Sequence, residues 1–237
     1  MAQLYSNGKS YGPVPFFFQI RCMDTHKVLD GIEVGDIGPK FGWNGKDNGF
    51  MRLTNVKRPF EVMAYKYLKV DEKGDFTRTG DEKMMYAGMM RVRTSLLSIS
   101  YRTLATSLTV AVRYSYLRKQ FHDSDGKEQI IMNYQTQRAR LFPLVAQTYA
   151  MGMALHEISD FVAKLWESAN NNDFSLLQEG HILLSSGKSL WTTMATHGIR
   201  ECMYACGGHG YHAAGIHGYY SKTSANTILE GENSVLY

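Results

Sequence analysis

The sequence predicts an α+β chain that is mostly α, with a β sheet or barrel over residues 1–80 and an antiparallel helical bundle over 81–237. Two observations predict it. Up to about residue 80 the chain is written in glycine, proline and short aromatic or β-branched runs; beyond it, apolar residues recur at spacings of three and four over long stretches, the helical period. With 237 residues the chain is also long enough to bury a core without disulfide staples.

In the first region, Phe16-Phe17-Phe18-Gln19-Ile20-Arg21, Gly49-Phe50-Met51-Arg52-Leu53 and Phe60-Glu61-Val62-Met63-Ala64-Tyr65 read as strands of one sheet or barrel. Turn clusters such as Leu29-Asp30-Gly31 and Asp47-Asn48-Gly49 bound them. From Asp81 to about Gln120, Met85, Met89, Val92, Leu96, Ile99, Leu104, Leu108, Val112 and Tyr116 mark one long helix. A second is expected from about Ile130 to Ala169, ended by Asn170-Asn171-Asn172-Asp173, with Pro143 kinking it or starting a new segment. A third runs from about Phe174 to Cys206 and stops at Gly207. Three helices of this length make a bundle.

Composition narrows the function classes. The formal charge of +4 comes from scattered lysines and arginines, so no basic block argues for nucleic acid as a partner; a mildly basic balance suits an anionic cofactor or substrate. No run of about 18 apolar residues would span a bilayer, and Met1–Ser10 lacks the layout of a signal peptide, so the reading is a soluble protein with no membrane partner. Cys22, Cys202 and Cys206 are too few and too unevenly placed for a disulfide framework, which fits a reducing compartment.

The chemistry concentrates near the end. Cys206-Gly207-Gly208-His209-Gly210-Tyr211 is a glycine cluster through which backbone can approach a ligand, and Glu230-Gly231-Glu232-Asn233 presents a carboxylate beside glycine. Together they are how a chain would offer a cofactor anion and a catalytic base. Each has a plainer reading: the glycines as a helix cap and turn, Glu230 as an exposed carboxylate at a helix N-terminus. On a helix Glu232 would point about 200° from Glu230, leaving it a surface or capping residue. Cys202, Cys206, His209 and His212 could in principle ligate zinc, but their spacing departs from finger motifs and no second knuckle exists; buried cysteines packing a helix end is the better reading, and no metal is expected. The group Met84, Met85, Met89 and Met90 reads as packing.

An ordered set of motifs resembles the peroxisomal acyl-CoA oxidases of the acyl-CoA dehydrogenase superfamily nearly end to end. It comprises Gly35-Asp36-Ile37-Gly38-Pro39-Lys40-Phe41-Gly42, Asp47-Asn48-Gly49, Arg113-Tyr114-Ser115 with Arg118, Tyr134-Gln135-Thr136-Gln137, Leu141-Phe142-Pro143-Leu144 and the two motifs above. The resemblance implies residues 1–80 as the second part of the middle β domain and 81–237 as a truncated C-terminal helical bundle domain, with further segments before and after. It implies oxidation of a fatty acyl-CoA to a trans-2-enoyl-CoA, with FAD as cofactor and dioxygen reduced to hydrogen peroxide. The α C–H is a weak acid, so that chemistry needs a carboxylate in reach and donors for the developing enolate. By resemblance Glu230 is the base and its N–H meets the thioester carbonyl, while Gly231 leaves room for substrate. Burial under flavin and acyl chain would raise the proton affinity of Glu230.

The resemblance also places Arg118 on the FAD pyrophosphate, where a guanidinium donates two parallel hydrogen bonds, and Gln135 in contact with the same cofactor; the plainer reading of Arg118 is a solvated cation at the end of the first helix, beside Lys119. Gly207, Gly208 and Gly210 would lie against the adenylate and pyrophosphate of a neighbouring subunit's FAD, which implies a homodimer with FAD across the subunit boundary. Peroxisomal location is implied by resemblance alone, since Val235-Leu236-Tyr237 is not a Ser-Lys-Leu type address. The alternative from another class is a non-catalytic helical module that binds acyl-CoA or dimerises. Within the enzyme class, a dehydrogenase passing electrons to a flavoprotein is the further option.

Overall fold

The computed structural model describes residues 1–64, 67–79, 83–213 and 215–236, and for 83–87 the backbone alone. The expected strand residue Tyr65, the expected helix start at Asp81 and the terminal Tyr237 lie outside the described residues, as do the side chains of Met84 and Met85. The chain divides into two compact units, one of residues 1–39 and 45–84, the other of residues 40–44 and 85–237.

The first unit is built from hairpins. β1 (Ala2–Ser6) pairs antiparallel with β2 (Lys9–Val14) around an Asn7-Gly8 turn in which both residues have positive φ, the geometry that favours Asn-Gly. β3 (Ile32–Asp36) pairs with β4 (Gly49–Leu53), in register from Ile32 opposite Leu53 to Asp36 opposite Gly49. β5 (Leu68–Val70) pairs with β6 (Phe76–Arg78). Leu4, Val14, Met63, Leu68 and Val70 form a small core. The Ser6 hydroxyl donates to the Gly74 carbonyl at 2.6 Å, joining the first and third hairpins.

Two strand expectations fail here. Phe16–Arg21 makes only isolated bridges, Phe16 with Met63 and Arg21 with Val28, because Pro13 and Pro15 just upstream remove ladder donors. Phe60–Val62 is a 3₁₀ turn, entered from an extended Pro59 whose ring leaves no N–H to donate to a ladder. Among the described residues the strands form separate two-stranded sheets, and no closed barrel is seen.

The second unit is helical. α1 spans Lys83–Leu117, the short hairpin of β7 (Lys119–His122) and β8 (Glu128–Ile130) follows, then α2 (Gln135–Asn170) and α3 (Leu177–Ala205). α2 runs through Pro143 without a break. Pro143 and Ala139, whose carbonyl loses its helical donor, are both exposed, so water can serve that carbonyl.

Of the expected α1 face, Leu96, Leu104 and Leu108 are buried, while Met89, Val92 and Tyr116 are exposed and Met90, Leu97 and Ala111 are buried as well; the buried face is therefore rotated in part from the expected one. The sequence hides it because serines share it. Ser100, Ser107 and Ser115 are buried, and each hydroxyl donates to the carbonyl four residues back, at 2.7–2.8 Å, which lets a polar side chain sit in a core. Close approach fixes the helix order. A Cβ on Gly180, Gly187 and Gly198 would meet Met90, Leu97 and Leu104 of α1 in ascending order, and on Gly180 and Gly198 would meet Leu165 and Leu144 of α2 in descending order, all at 2.3–3.4 Å, so α3 packs antiparallel to α2 and parallel to α1. α4 (Gly208–Tyr211), α5 (Ile216–Ala225) and α6 (Asn233–Leu236) complete the unit. Ile216 joins the core, and the Trp43 indole N–H donates to Asn226 Oδ1 at 2.9 Å.

Candidate functional site

The residues singled out by sequence gather at two places in the helical unit. The first is the end of the bundle where α1 stops, α2 starts and α3 stops. Gln137 ties these three ends together: its Nε2 donates to Ser115 Oγ on α1 at 2.9 Å and to the Ala205 carbonyl on α3 at 2.8 Å. Tyr114 Oη and His209 Nδ1 are 3.3 Å apart, bringing α4 to the same end. Arg118, Gln135 and Gly207–Gly210 thus lie within a few residues of one set of contacts.

Arg118 is exposed, and its Nη2 donates to Gln120 Oε1 at 2.9 Å. Gln135 is exposed at the first position of α2. Gly207 has φ 54° and ψ −133°, a conformation open to glycine and strained for other residues. At Gly208 a Cβ would meet nothing within 4 Å, whereas at Gly210 it would sit 2.0 Å from the Met203 carbonyl oxygen. The chain's own packing therefore demands glycine at 210 and leaves the space beside 208 open. An exposed guanidinium, an exposed carboxamide and open backbone at glycine fit a diphosphate.

The cysteines behind this loop take no part in such a surface. Cys202 and Cys206 are buried; burial pushes the Cys202 thiol up to about 12, helped by Cys206 and Glu201, and raises Cys206 as well. Among the described residues no three His, Cys, Asp or Glu side chains assemble as a metal site, and no helix is long and apolar enough to cross a membrane.

The second place is the loop from Thr227 to Asn233, docked on the middle of α3. Glu230 is exposed and lies in a turn, with φ 58°; Gly231 follows with φ 103°. The expected helical placement of Glu230, and the angle to Glu232 drawn from it, are corrected here: two consecutive left-handed residues reverse the chain before α6 begins. Among the described residues no hydrogen bond engages the Glu230 carboxylate or its N–H. Glu232 accepts the Ser234 N–H at 3.1 Å and bonds its hydroxyl, capping α6; these contacts hold its carboxyl below the usual carboxylate range.

Sequence reasoning missed the residue that organises this loop. Lys188 is fully buried on α3, and its Nζ donates to the Gly231 carbonyl at 2.5 Å, to Asn233 Oδ1 at 2.8 Å and to the Thr227 carbonyl at 3.3 Å. Burial pushes its ammonium down to about 8, assisted by Arg93 and opposed by Glu232 and Glu230. Asn233 Nδ2 in turn donates to the Ser189 carbonyl and to the hydroxyls of Thr192 and Thr193, at 2.9–3.0 Å. A lysine beside Leu184, Ser185 and Ser189 was the available signal, since charged side chains are rarely placed on a buried helical face.

Both places lie on one α-helical bundle domain, and comparison with known proteins gives it a family. Residues 86–237 match the acyl-CoA oxidase C-alpha1 domain. Peroxisomal acyl-coenzyme A oxidase 1 of Dictyostelium discoideum is 40% identical over 232 residues, 96% of this chain and 33% of that protein. Its human counterpart is 38% identical over 238 residues, all of this chain and 36% of that protein. Arabidopsis thaliana acyl-CoA oxidase 1 superposes with a TM-score of 0.93 at 34% identity, covering 99% of this chain and 37% of that one. A Caenorhabditis elegans acyl-CoA oxidase-2 structure, bound with FAD, ascaroside-CoA and ATP, gives 0.93 at 34% identity, with 99% and 36% covered. This chain belongs to the acyl-CoA oxidase family. It spans about a third of the length of the relatives it matches.

Proposed function

We propose that this chain carries the base and the cofactor-phosphate contacts of an FAD-dependent acyl-CoA oxidase, which converts a fatty acyl-CoA to a trans-2-enoyl-CoA and reduces dioxygen to hydrogen peroxide. Residues 1–80 are then the later part of the middle β domain and 81–237 the first C-terminal helical domain. The observation that carries the reading is Glu230: an exposed carboxylate with a free N–H, presented at a left-handed turn that a buried network holds in place. Glu230 takes the α-proton, and its N–H donates to the thioester oxygen as negative charge develops there. Gly231 leaves the approach open. Arg118, Gln135, Gly207 and Gly208 hold the cofactor's phosphates and adenylate, Gly210 supports that loop by packing against Met203, and bound FAD supplies the hydride acceptor.

The distance between the two places supports a homodimer. Lys188 and Ala205 are separated along α3 by about 25 Å at 1.5 Å per residue. A glycine loop serving the FAD of one active site and a carboxylate serving another suits that separation, with each FAD crossing a subunit boundary. The peroxisomal names of the relatives support a peroxisomal location. Their oxidase names do not favour a non-catalytic module.

The test is a visible spectrum of the purified protein, followed by flavin bleaching and peroxide formation on adding a fatty acyl-CoA under air. Peroxide that disappears in Glu230→Gln, with flavin still bound, supports the reading. Bleaching without oxygen uptake points to a dehydrogenase, and a protein that takes up no flavin overturns the enzyme reading for this chain.

A further inference from the structure

We propose that Lys188 is the positioning residue of the catalytic carboxylate, its buried ammonium clamping the backbone on both sides of Glu230 so that the left-handed turn is the only conformation open to the loop. The proposal rests on the reading of Glu230 as the base. Three oxygens converge on Nζ: the carbonyls of Thr227 and Gly231, which bracket Glu230, and Asn233 Oδ1. An ammonium has three N–H donors and no acceptor, so this cage matches a protonated lysine donor for acceptor. The loop closes on itself as well, since the Asn233 N–H donates to the Thr227 carbonyl at 3.0 Å. α3 grips the far side: the Ser189 hydroxyl donates to the Asn233 carbonyl at 3.0 Å, and Asn233 Nδ2 reaches Ser189, Thr192 and Thr193.

A glutamate in the left-handed region is strained, and such a conformation persists where its surroundings over-determine it. Lys188, Ser189 and Thr192, none of them exposed, supply that determination. Without the ammonium, the Gly231 carbonyl loses its clamp and Glu230 can relax toward ordinary φ values. Misplacing a reacting group by about 1 Å costs about 100-fold in rate, and the effect falls on turnover because substrate contacts elsewhere are unchanged.

The experiment is Lys188→Met, with two readouts. Amide hydrogen exchange in flavin-free protein is expected to accelerate at residues 228–233 while the α1 core around Leu97–Leu108 keeps wild-type protection. Turnover is expected to fall about 100-fold with KM held within a few-fold. In Lys188→Ala, ethylammonium should restore loop protection and turnover, whereas tetramethylammonium, with the charge but no N–H donor, should not. Unchanged exchange at 228–233 together with unchanged turnover overturns the proposal, as does equal rescue by both cations. Should Lys188→Met fail to fold, Lys188→Ala purified in ethylammonium and dialysed free of it carries the same test: protection lost only at 228–233 supports the clamp, and protection kept overturns it. Glu230→Gln separates the two readings. If that variant keeps turnover the base assignment fails, while the clamp still stands or falls on exchange.

Discussion

Two glutamines two residues apart, Gln135 and Gln137, are expected to behave as different kinds of residue. Gln137 is half-buried and donates to Ser115 Oγ and to the Ala205 carbonyl. In Gln137→Met the side chain keeps its length and loses both donors. The Ser115 hydroxyl still donates to the Ala111 carbonyl at 2.7 Å, so its loss is small. Ala205, 4% exposed, keeps no other donor to its carbonyl among the described residues. An orphaned buried carbonyl costs about 1–3 kcal/mol, so the helical unit should lose about 2 kcal/mol. With a urea slope of about 2 kcal/mol/M, the midpoint by circular dichroism should fall by about 1 M. Gln135→Met, at an exposed position, should leave the midpoint within about 0.5 kcal/mol of wild type and instead weaken flavin binding in a fluorescence titration. A stability loss below about 0.5 kcal/mol for Gln137→Met, or an equal loss for both variants, would refute the assignment of structural and cofactor roles.

Gly210→Ala places a Cβ 2.0 Å from the Met203 carbonyl oxygen and should lower stability by about 3 kcal/mol, seen as a drop in melting temperature with or without flavin; a neutral result would contradict the packing. Lys188 has a folded pKa of about 8 against an ordinary 10.5, set by burial and Arg93 and opposed by Glu230 and Glu232. The unfolded chain therefore holds the proton longer, and wild type should gain about 3 kcal/mol relative to Lys188→Met as pH rises from 8 to 10.5, measured by urea unfolding across that range; a flat difference would rule out a depressed lysine. Iodoacetamide at pH 8 should modify Cys22, whose thiol the Thr25 hydroxyl pulls down, well before Cys202 and Cys206, which burial holds up. Mass spectrometry reads the order, and early labelling of Cys202 would contradict a closed helix end.

Long helices were legible because their signal is local. A period of three to four sustained over some thirty residues survives the exchange of single positions, and α1, α2 and α3 lie within a few residues of the expected spans. The rotated face of α1 was not legible, because Ser100, Ser107 and Ser115 read as solvent-facing until their hydroxyls are seen bonded to the preceding turn. Short strands misled for a related reason. Phe16–Arg21 has strand composition, but pairing depends on partner donors and acceptors that composition does not encode, and the prolines beside it withdraw donors. The turn at Asn7-Gly8, by contrast, was there to be read and marks a hairpin that the aromatic runs overshadowed.

By itself the sequence determined the α+β order, the extents of the three long helices, and the family, through motifs whose glycines and carboxylate can be read as letters. Only the tertiary structure decided that Gly210 answers to Met203, that Gln137 and not Gln135 joins the helix ends, and that Glu230 sits in a left-handed turn. Lys188 stands 42 residues before Glu230 in the chain, and nothing local in either segment announces the other. Helical periodicity is a short-range consequence of backbone geometry, whereas a buried cation is tolerable only where distant carbonyls converge on it, and that convergence exists only once the chain has folded.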